Sequence, residues 1–118
     1  HLFPNACFFP GIQIPLIYRF RPTSLGTCVH EILILEPVSD EANREPPAMA
    51  HHLGIDQSYK EVEGFSLAHV LDQDTENFHR QWAGMNASIK GGQTLGNYQE
   101  VRIRNFHKTL DEYLSNEG

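Results

Sequence analysis

One predicted helix carries a carboxylate on the side where its apolar residues lie. The hydrophobic pattern predicts this helix across residues 65–85, with its firm part from about Asp72 onward. Asp74, Asn77, Phe78 and Gln81 recur at i, i+3, i+4 and i+7, so they share one face. This face overlaps an apolar stripe formed by Leu71, Phe78, Trp82 and Met85. Burying an unpaired carboxylate is costly. Asp74 is therefore expected either to bind a partner or a metal ion, or to sit at the N-cap or in the first turn, where the helix dipole favours an acidic residue.

Strand-like segments precede this helix. Residues 2–9, 12–20 and 27–35 are predicted strands, and residues 21–26 are predicted to form the turn between the last two. Pro15 indicates that the second strand lies at an edge or contains a bulge. A second amphipathic helix is predicted at residues 102–116. The order predicts an α+β fold in which an antiparallel sheet is combined with a long helix.

Composition excludes several classes of function. A chain of 118 residues forms at most one domain. Its net charge is −6 and its 9 basic residues are not clustered, which argues against nucleic acid as a partner. It has no apolar run long enough to span a bilayer, so no membrane association is expected. Two cysteines, Cys7 and Cys28, suit a reducing compartment, and a cytoplasmic location is expected.

Four stretches, in this order, resemble a known family. They are HLFPN with FFPG at residues 1–5 and 8–11, YRFRP at 18–22, QDTEN at 73–77 with Gln81 and Gly84 beyond it, and QEVRIRNFHKTLDEYL at 99–114. The chain is similar to the C-terminal part of the catalytic domain of Rieske-type aromatic-ring-hydroxylating oxygenase alpha subunits. The resemblance implies a helix-grip (START-like) architecture, in which a curved antiparallel sheet wraps a long helix and a ligand cavity lies between them. Because the chain does not begin with methionine, we expect it to be a fragment that supplies about half of such a domain.

The resemblance also implies a metal centre. Asp74, in the D-x-E-N stretch, matches the carboxylate ligand of the family's mononuclear non-haem Fe(II), and so becomes the predicted catalytic and metal-binding residue. The family's two histidine ligands lie five positions apart on an upstream helix. No two histidines of this chain have that spacing; they are His1, His30, His51, His52, His69, His79 and His107. We therefore expect the histidine ligands to lie before His1, and this fragment alone to be inactive.

The family's second metal group is a Rieske [2Fe-2S] cluster, which is bound by paired Cys-x-His and Cys-x-x-His stretches. Cys28-Val29-His30 matches the first half of such a pair, but no Cys-x-x-His follows, and the segment is predicted to be a buried strand. We interpret the match as a coincidence. The cluster is expected to lie outside this chain.

Further residues are candidates for the surroundings of the metal. Asn77 and Gln81 share the face of Asp74, and amide groups often orient a metal-bound carboxylate by hydrogen bonding to it; Asn77 could equally be a capping or solvated residue. By resemblance, Phe9, Ile12 and Val70 are candidates for the wall of the substrate pocket, although each could simply belong to the core. The family often has a bulky aromatic residue where this chain has Val70, which suggests a roomier pocket.

Two functions from different classes follow. The first is a part of an oxygenase that hydroxylates an aromatic or other apolar substrate with dioxygen, with a reductase or ferredoxin as the electron donor. By resemblance the parent is a trimer of alpha subunits, whereas the fragment is expected to form a homo-oligomer, most simply a dimer. The alternative is a non-catalytic helix-grip module that binds an apolar small molecule, in which Asp74 is only a structural cap.

Overall fold

The chain forms two compact units in the computed structural model. The structure describes residues 1–9, 15–40, 42 and 44–116. One unit contains His1–Arg44 and Thr94–Gly118, and the other contains Glu45–Gln93. The first holds a three-stranded antiparallel sheet and a helix, and the second holds the longest helix. The predicted α+β class is therefore confirmed.

The sheet consists of three consecutive antiparallel strands. They are β1 (Ala6–Phe9), β2 (Leu16–Ser24) and β3 (Thr27–Ile34), in the spatial order β1-β2-β3. Tyr18 pairs with Cys7 on one side and with Ile32 on the other. β2 is thus the central strand, so the edge-strand alternative predicted from Pro15 is wrong. The strand does contain an irregularity, but its register against β3 shifts between Pro22 and Ser24 and not at Pro15. Pro15 lies just before β2, where its carbonyl accepts a hydrogen bond from the Leu35 N–H at 2.9 Å.

The turn predicted at residues 21–26 is present but shorter, because β2 continues to Ser24 and only Leu25 and Gly26 form the turn. Pro22 is tolerated in β2 for a geometric reason. The Phe20 N–H points to the β1 side, where it donates to the Asn5 carbonyl at 2.8 Å. Along a strand the backbone nitrogens of every second residue face the same neighbour, so the nitrogen of Pro22, which carries no hydrogen, also faces the β1 side. The pairing of β1 reaches no further along β2 than Arg19, so no hydrogen bond of the β1–β2 ladder is lost there.

The two faces of the sheet differ in chemistry. One face carries a row of contacting rings, in which the centroids lie 4.9 Å apart for Phe9–Tyr18, 4.9 Å for Tyr18–His30 and 4.6 Å for Phe20–His30. On the other face, Arg19 and Arg21 both donate hydrogen bonds to the Glu31 carboxylate. The hydrogen bond from Arg19 is the main cause that lowers the pKa of Glu31.

β3 is not the buried strand that its sequence indicates. Cys28 and Val29 are exposed, and only His30, Glu31 and Ile32 are half-buried. The thiols of Cys7 and Cys28 are both free.

The helices begin and end close to the predicted positions. In the second unit, α1 spans Ala68–Ala87 and follows a 3-10 turn at Tyr59–Glu61. In the first unit, α2 spans Val101–Ser115, and its Tyr113 ring stacks on Phe3 with centroids 5.1 Å apart. Neither of these helices, which are the ones found in the described ranges, is both long and apolar enough to cross a membrane.

Each unit buries little of its apolar surface. Within the part of the chain that the structure describes, the buried hydrophobic residues are Leu16 in the first unit and Ala68 and Leu71 in the second. Large side chains on both helices and on the sheet are exposed. Neither unit therefore has the extensive core that usually stabilises an independent domain.

Candidate functional site

Asp74 lies in the second turn of α1. The helix begins at Ala68 with Leu67 as its N-cap, and its first turn contains no acidic residue. The alternative prediction that Asp74 caps the helix or lies in the first turn is therefore wrong. The sequence misplaced the start because Leu67 provides no side-chain cap, so the usual polar signal of an N-terminus is missing there.

The Asp74 side chain is half-buried and lies near candidate residues of the same helix. At about 100° per residue, Val70, Asn77 and Gln81 lie about 20 to 60° from Asp74 around the helix axis. All three are exposed. In the described ranges no hydrogen bond or ion pair is made by the Asp74 carboxylate, so neither amide binds it. That Asn77 and Gln81 orient a metal-bound Asp74 carboxylate stays a prediction.

Asp72 is placed very differently, although it is only two residues away. It lies about 160° around the helix from Asp74. Its Oδ2 accepts a hydrogen bond from the Ser58 hydroxyl at 2.7 Å, and its Oδ1 accepts one from the Tyr59 N–H at 2.9 Å. The Ser58 bond, followed by the Tyr59 bond, lowers the pKa of the Asp72 carboxyl. The protein thus stabilises the ionised form of Asp72 with its own hydrogen bonds.

Sequence reasoning missed the contact between Asp72 and the segment before the helix, since residues 54–63 have a polar composition without clear periodicity. A signal was nevertheless present. Ser58 and Glu61 have the spacing of a capping box, and the structure shows both of its hydrogen bonds. That pattern predicts a helical turn at Tyr59–Glu61, although it does not reveal that Asp72 is its partner.

The apolar stripe of α1 is buried only at its N-terminal end. Leu71 is completely buried, whereas Phe78, Trp82 and Met85 are exposed by 44%, 47% and 44%. These three side chains therefore do not lie in a core. The side of α1 that adjoins Asp74 is instead an open apolar surface.

The predicted pocket residues are distributed over both units. Val70 precedes Asp74 by one helical turn and is half exposed. Phe9 is half-buried in β1, where it belongs to the row of rings. Ile12 lies outside the described residues. The structure therefore brings Val70 close to Asp74, while Phe9 is placed within the other unit.

A groove in the first unit is separate from these residues. It has a volume of about 420 Å³ and is lined by residues of the N-terminal segment and of α2: His1, Phe3, Val101, Arg102, Asn105, Phe106 and Thr109. None of the residues predicted for the site lines it. Its lining includes no carboxylate and no thiol, so it offers few metal ligands.

Among the residues that the structure describes, Asp74 does not belong to a complete metal site. The described residues contain no group of three His, Cys, Asp or Glu side chains that could hold a metal ion. A two-histidine-one-carboxylate iron site needs three protein ligands on one side of the metal. These residues therefore do not fit mononuclear iron by themselves, and Asp74 would contribute one ligand of three.

Comparison with known proteins covers nearly the whole chain. A sequence model of the family described as ring hydroxylating alpha subunit (catalytic domain) matches residues 1–116. No curated protein and no solved structure gives a significant match. The matched range includes the sheet, α1 and α2.

Proposed function

This chain belongs to the family of ring-hydroxylating alpha subunits, in the part that forms their catalytic domain, and from this premise we propose that it is a portion of a Rieske non-haem iron oxygenase. The proposed reaction is the hydroxylation of an aromatic or other apolar substrate with dioxygen. Family membership supports a general oxygenase function; the iron chemistry and the class of substrate are the proposal. The observation that carries it is the match across 116 residues, which includes the D-x-E-N stretch of α1.

Asp74 is the proposed metal ligand. Its carboxylate is half-buried, and within the described ranges no protein group binds it. Asp72 is the nearest alternative, but both of its oxygens accept hydrogen bonds on another side of the helix. A carboxylate on a rigid helix that has no protein partner is suited to a metal ion, since a metal would supply the missing positive charge.

The two histidine ligands are proposed to come from residues outside these 118. The seven histidines of the chain lack the five-residue spacing of the family's ligand pair. The described residues also contain no three-ligand group. When completed in this way, the iron would supply the activation of dioxygen, while this chain contributes a negatively charged ligand and apolar surface beside it.

The substrate is proposed to bind against apolar side chains of this chain. Val70 is one turn from Asp74 on the same side of α1. Phe9 belongs to the sheet of the other unit and stays a candidate by resemblance. Because valine is smaller than an aromatic residue, a Val70→Phe substitution should reduce the space for bulky substrates. Ile12 remains a third candidate for the pocket wall.

The other partners are proposed on family grounds. A reductase or ferredoxin would deliver electrons through a Rieske cluster held elsewhere in the alpha subunit. The alpha subunits would assemble as a trimer.

The proposal is tested with Asp74→Ala and Asp74→Asn in the complete alpha subunit. Both variants should lose mononuclear iron and product formation, because the amide of asparagine carries no charge to stabilise the metal. The visible spectrum of the Rieske cluster should be unchanged, since the cluster belongs to another part of the protein. Asp111→Asn, which changes an exposed aspartate of α2, is the matched control and should retain both. Normal iron content and turnover in Asp74→Ala would rule out the ligand assignment.

A further inference from the structure

Asp72 is the only carboxylate of α1 for which the described residues show hydrogen bonds to a segment outside the helix. We propose that Asp72 is a positioning residue, which fixes the first two turns of α1 and thereby the Asp74 carboxylate by binding residues 58–59. That Asp74 binds iron rests on the proposed function. That residues 58–59 hold α1 in place rests only on the two hydrogen bonds to Asp72.

Both oxygens of the Asp72 carboxylate take part. The Ser58 hydroxyl donates to Oδ2 at 2.7 Å, and the Tyr59 N–H donates to Oδ1 at 2.9 Å. Hydrogen bonds to an ionised acceptor are stronger than neutral ones. Two of them that meet at one carboxylate fix its orientation as well as its position. The contact joins residues 14 positions apart, so it attaches the helix to a separate segment.

The segment that binds Asp72 is itself well ordered by hydrogen bonds. Ser58 is the N-cap of the 3-10 turn, where its hydroxyl oxygen accepts the Lys60 N–H at 3.1 Å while its hydrogen goes to Asp72. The Ser58 N–H donates to the Glu61 carboxylate at 3.1 Å, and Glu61 also accepts from the Gln57 amide at 2.8 Å. Ser58 therefore has every polar group engaged and cannot easily rotate away from Asp72.

The first turn of α1 needs such an anchor. Its N-cap, Leu67, makes no side-chain hydrogen bond, so the first turn lacks the side-chain cap that usually limits fraying, although the Ala68 N–H donates to the Phe65 carbonyl at 3.2 Å. Next to Asp72, Leu71 is completely buried and holds the same turn by packing. A helix fixed on this side presents Val70 and Asp74 in a defined position on another side, because an α-helix transmits orientation rigidly over one or two turns.

The experiment uses the complete alpha subunit with Ser58→Ala, Asp72→Asn and the conservative variant Ser58→Thr. Threonine keeps the hydroxyl and also caps helices well. The first readout is amide hydrogen exchange in residues 69–76 compared with α2, and the second is the dissociation constant for Fe(II). We expect exchange in residues 69–76 to accelerate in Ser58→Ala and Asp72→Asn, while exchange in α2 is unchanged. The Fe(II) dissociation constant should rise by about tenfold, which is the lower range for loss of supporting contacts around a metal site.

Ser58→Thr should keep both the exchange rate in residues 69–76 and the Fe(II) dissociation constant at wild-type values. Asp111→Asn, the control on α2, should do the same. The positioning role is overturned if exchange in residues 69–76 stays at the wild-type rate, if α1 and α2 accelerate equally, or if local exchange accelerates without any change in Fe(II) binding. Failure of the proposed function has a different signature. In that case Asp74→Ala itself retains iron. Failure of the positioning role alone instead leaves Asp74→Ala without iron, while Ser58→Ala and Asp72→Asn bind Fe(II) with normal affinity.

Discussion

At the scale of single residues, two aspartates of one helix illustrate how environment decides role. Asp72 accepts two hydrogen bonds from residues 58–59, whereas Asp74 has no protein partner among the described residues. Sequence alone cannot separate them, since both are acidic residues near the start of a predicted helix. The distinction arises from tertiary contact: the Ser58 hydroxyl reaches one side of α1 and leaves the other side open.

The lowered pKa of Asp72 predicts a specific dependence of stability on pH. Its folded-state pKa lies below its unfolded value, so its contribution is fully present above the unfolded pKa and is lost as the pH falls through the folded pKa. We expect wild type to be more stable than Asp72→Asn at neutral pH, the difference to begin to shrink as the pH falls below about 4, the ordinary pKa of an aspartate, and to vanish only below the folded-state pKa. Thermal unfolding of both proteins between pH 2 and 7 measures this. A difference that is constant across the whole range would contradict the assignment.

At the scale of elements, α1 depends on few buried side chains. Leu71 is completely buried, while its neighbours along the stripe, Phe78 and Trp82, are about half exposed. Truncating Leu71 should therefore remove much of the packing that holds the N-terminal turns.

We predict that Leu71→Ala destabilises the unit containing α1 by about 2 to 3 kcal/mol, near the lower end for buried leucine because the surrounding apolar contacts are sparse. Leu25→Ala is the matched control, since Leu25 is fully exposed in the hairpin turn. Chemical denaturation followed by the fluorescence of Trp82 provides the measurement. Equal stability of the two variants would show that the packing around Leu71 contributes little.

The sequence predicted the elements better than their surroundings. The strand segments and both helices were recognisable, because periods of 2 and 3.6 depend on local pattern. The long β2 was not, since Pro22 normally ends a strand and is tolerated here only because β1 stops short of it. The exposure of Cys28 and Val29 was likewise not predictable, because an apolar run indicates burial only if another element covers it.

At the candidate site, likewise, the helical pattern predicted the face of Asp74 but not the start of the helix. The position of Asp74 on the face of Asn77 and Gln81 followed from helical spacing, and the structure retains it. The start of α1 at Ala68 did not follow, because Leu67 gives no capping signal. Contacts between distant segments, such as that of Ser58 with Asp72, cannot be deduced from the residue periodicity of a strand or of a helix.

At the scale of the whole molecule, the family match and the shortage of buried residues are consistent with each other. The chain belongs to a catalytic-domain family over residues 1–116, yet the described part buries only Leu16, Ala68 and Leu71 among its hydrophobic residues. Large exposed apolar surfaces usually mark contact with other protein. The sheet and α1 are therefore better suited to packing against further structure than to facing water.

The final prediction concerns association of the 118-residue chain by itself. Phe8 on β1 is 41% exposed. Phe3 is still 36% exposed, although its ring contacts Phe106 of α2. Exposed apolar strands recruit other chains, and a two-fold dimer is the commonest closed arrangement because one patch serves both partners. We expect the chain to dimerise through these strands, and Phe8→Ser to weaken the dimer while Leu25→Ser, which changes the exposed turn, does not. Sedimentation velocity over a concentration series provides the measurement. If the wild-type chain sediments as a monomer at every concentration, its exposed strands do not drive association; if both variants weaken the dimer equally, the contact lies elsewhere on the surface.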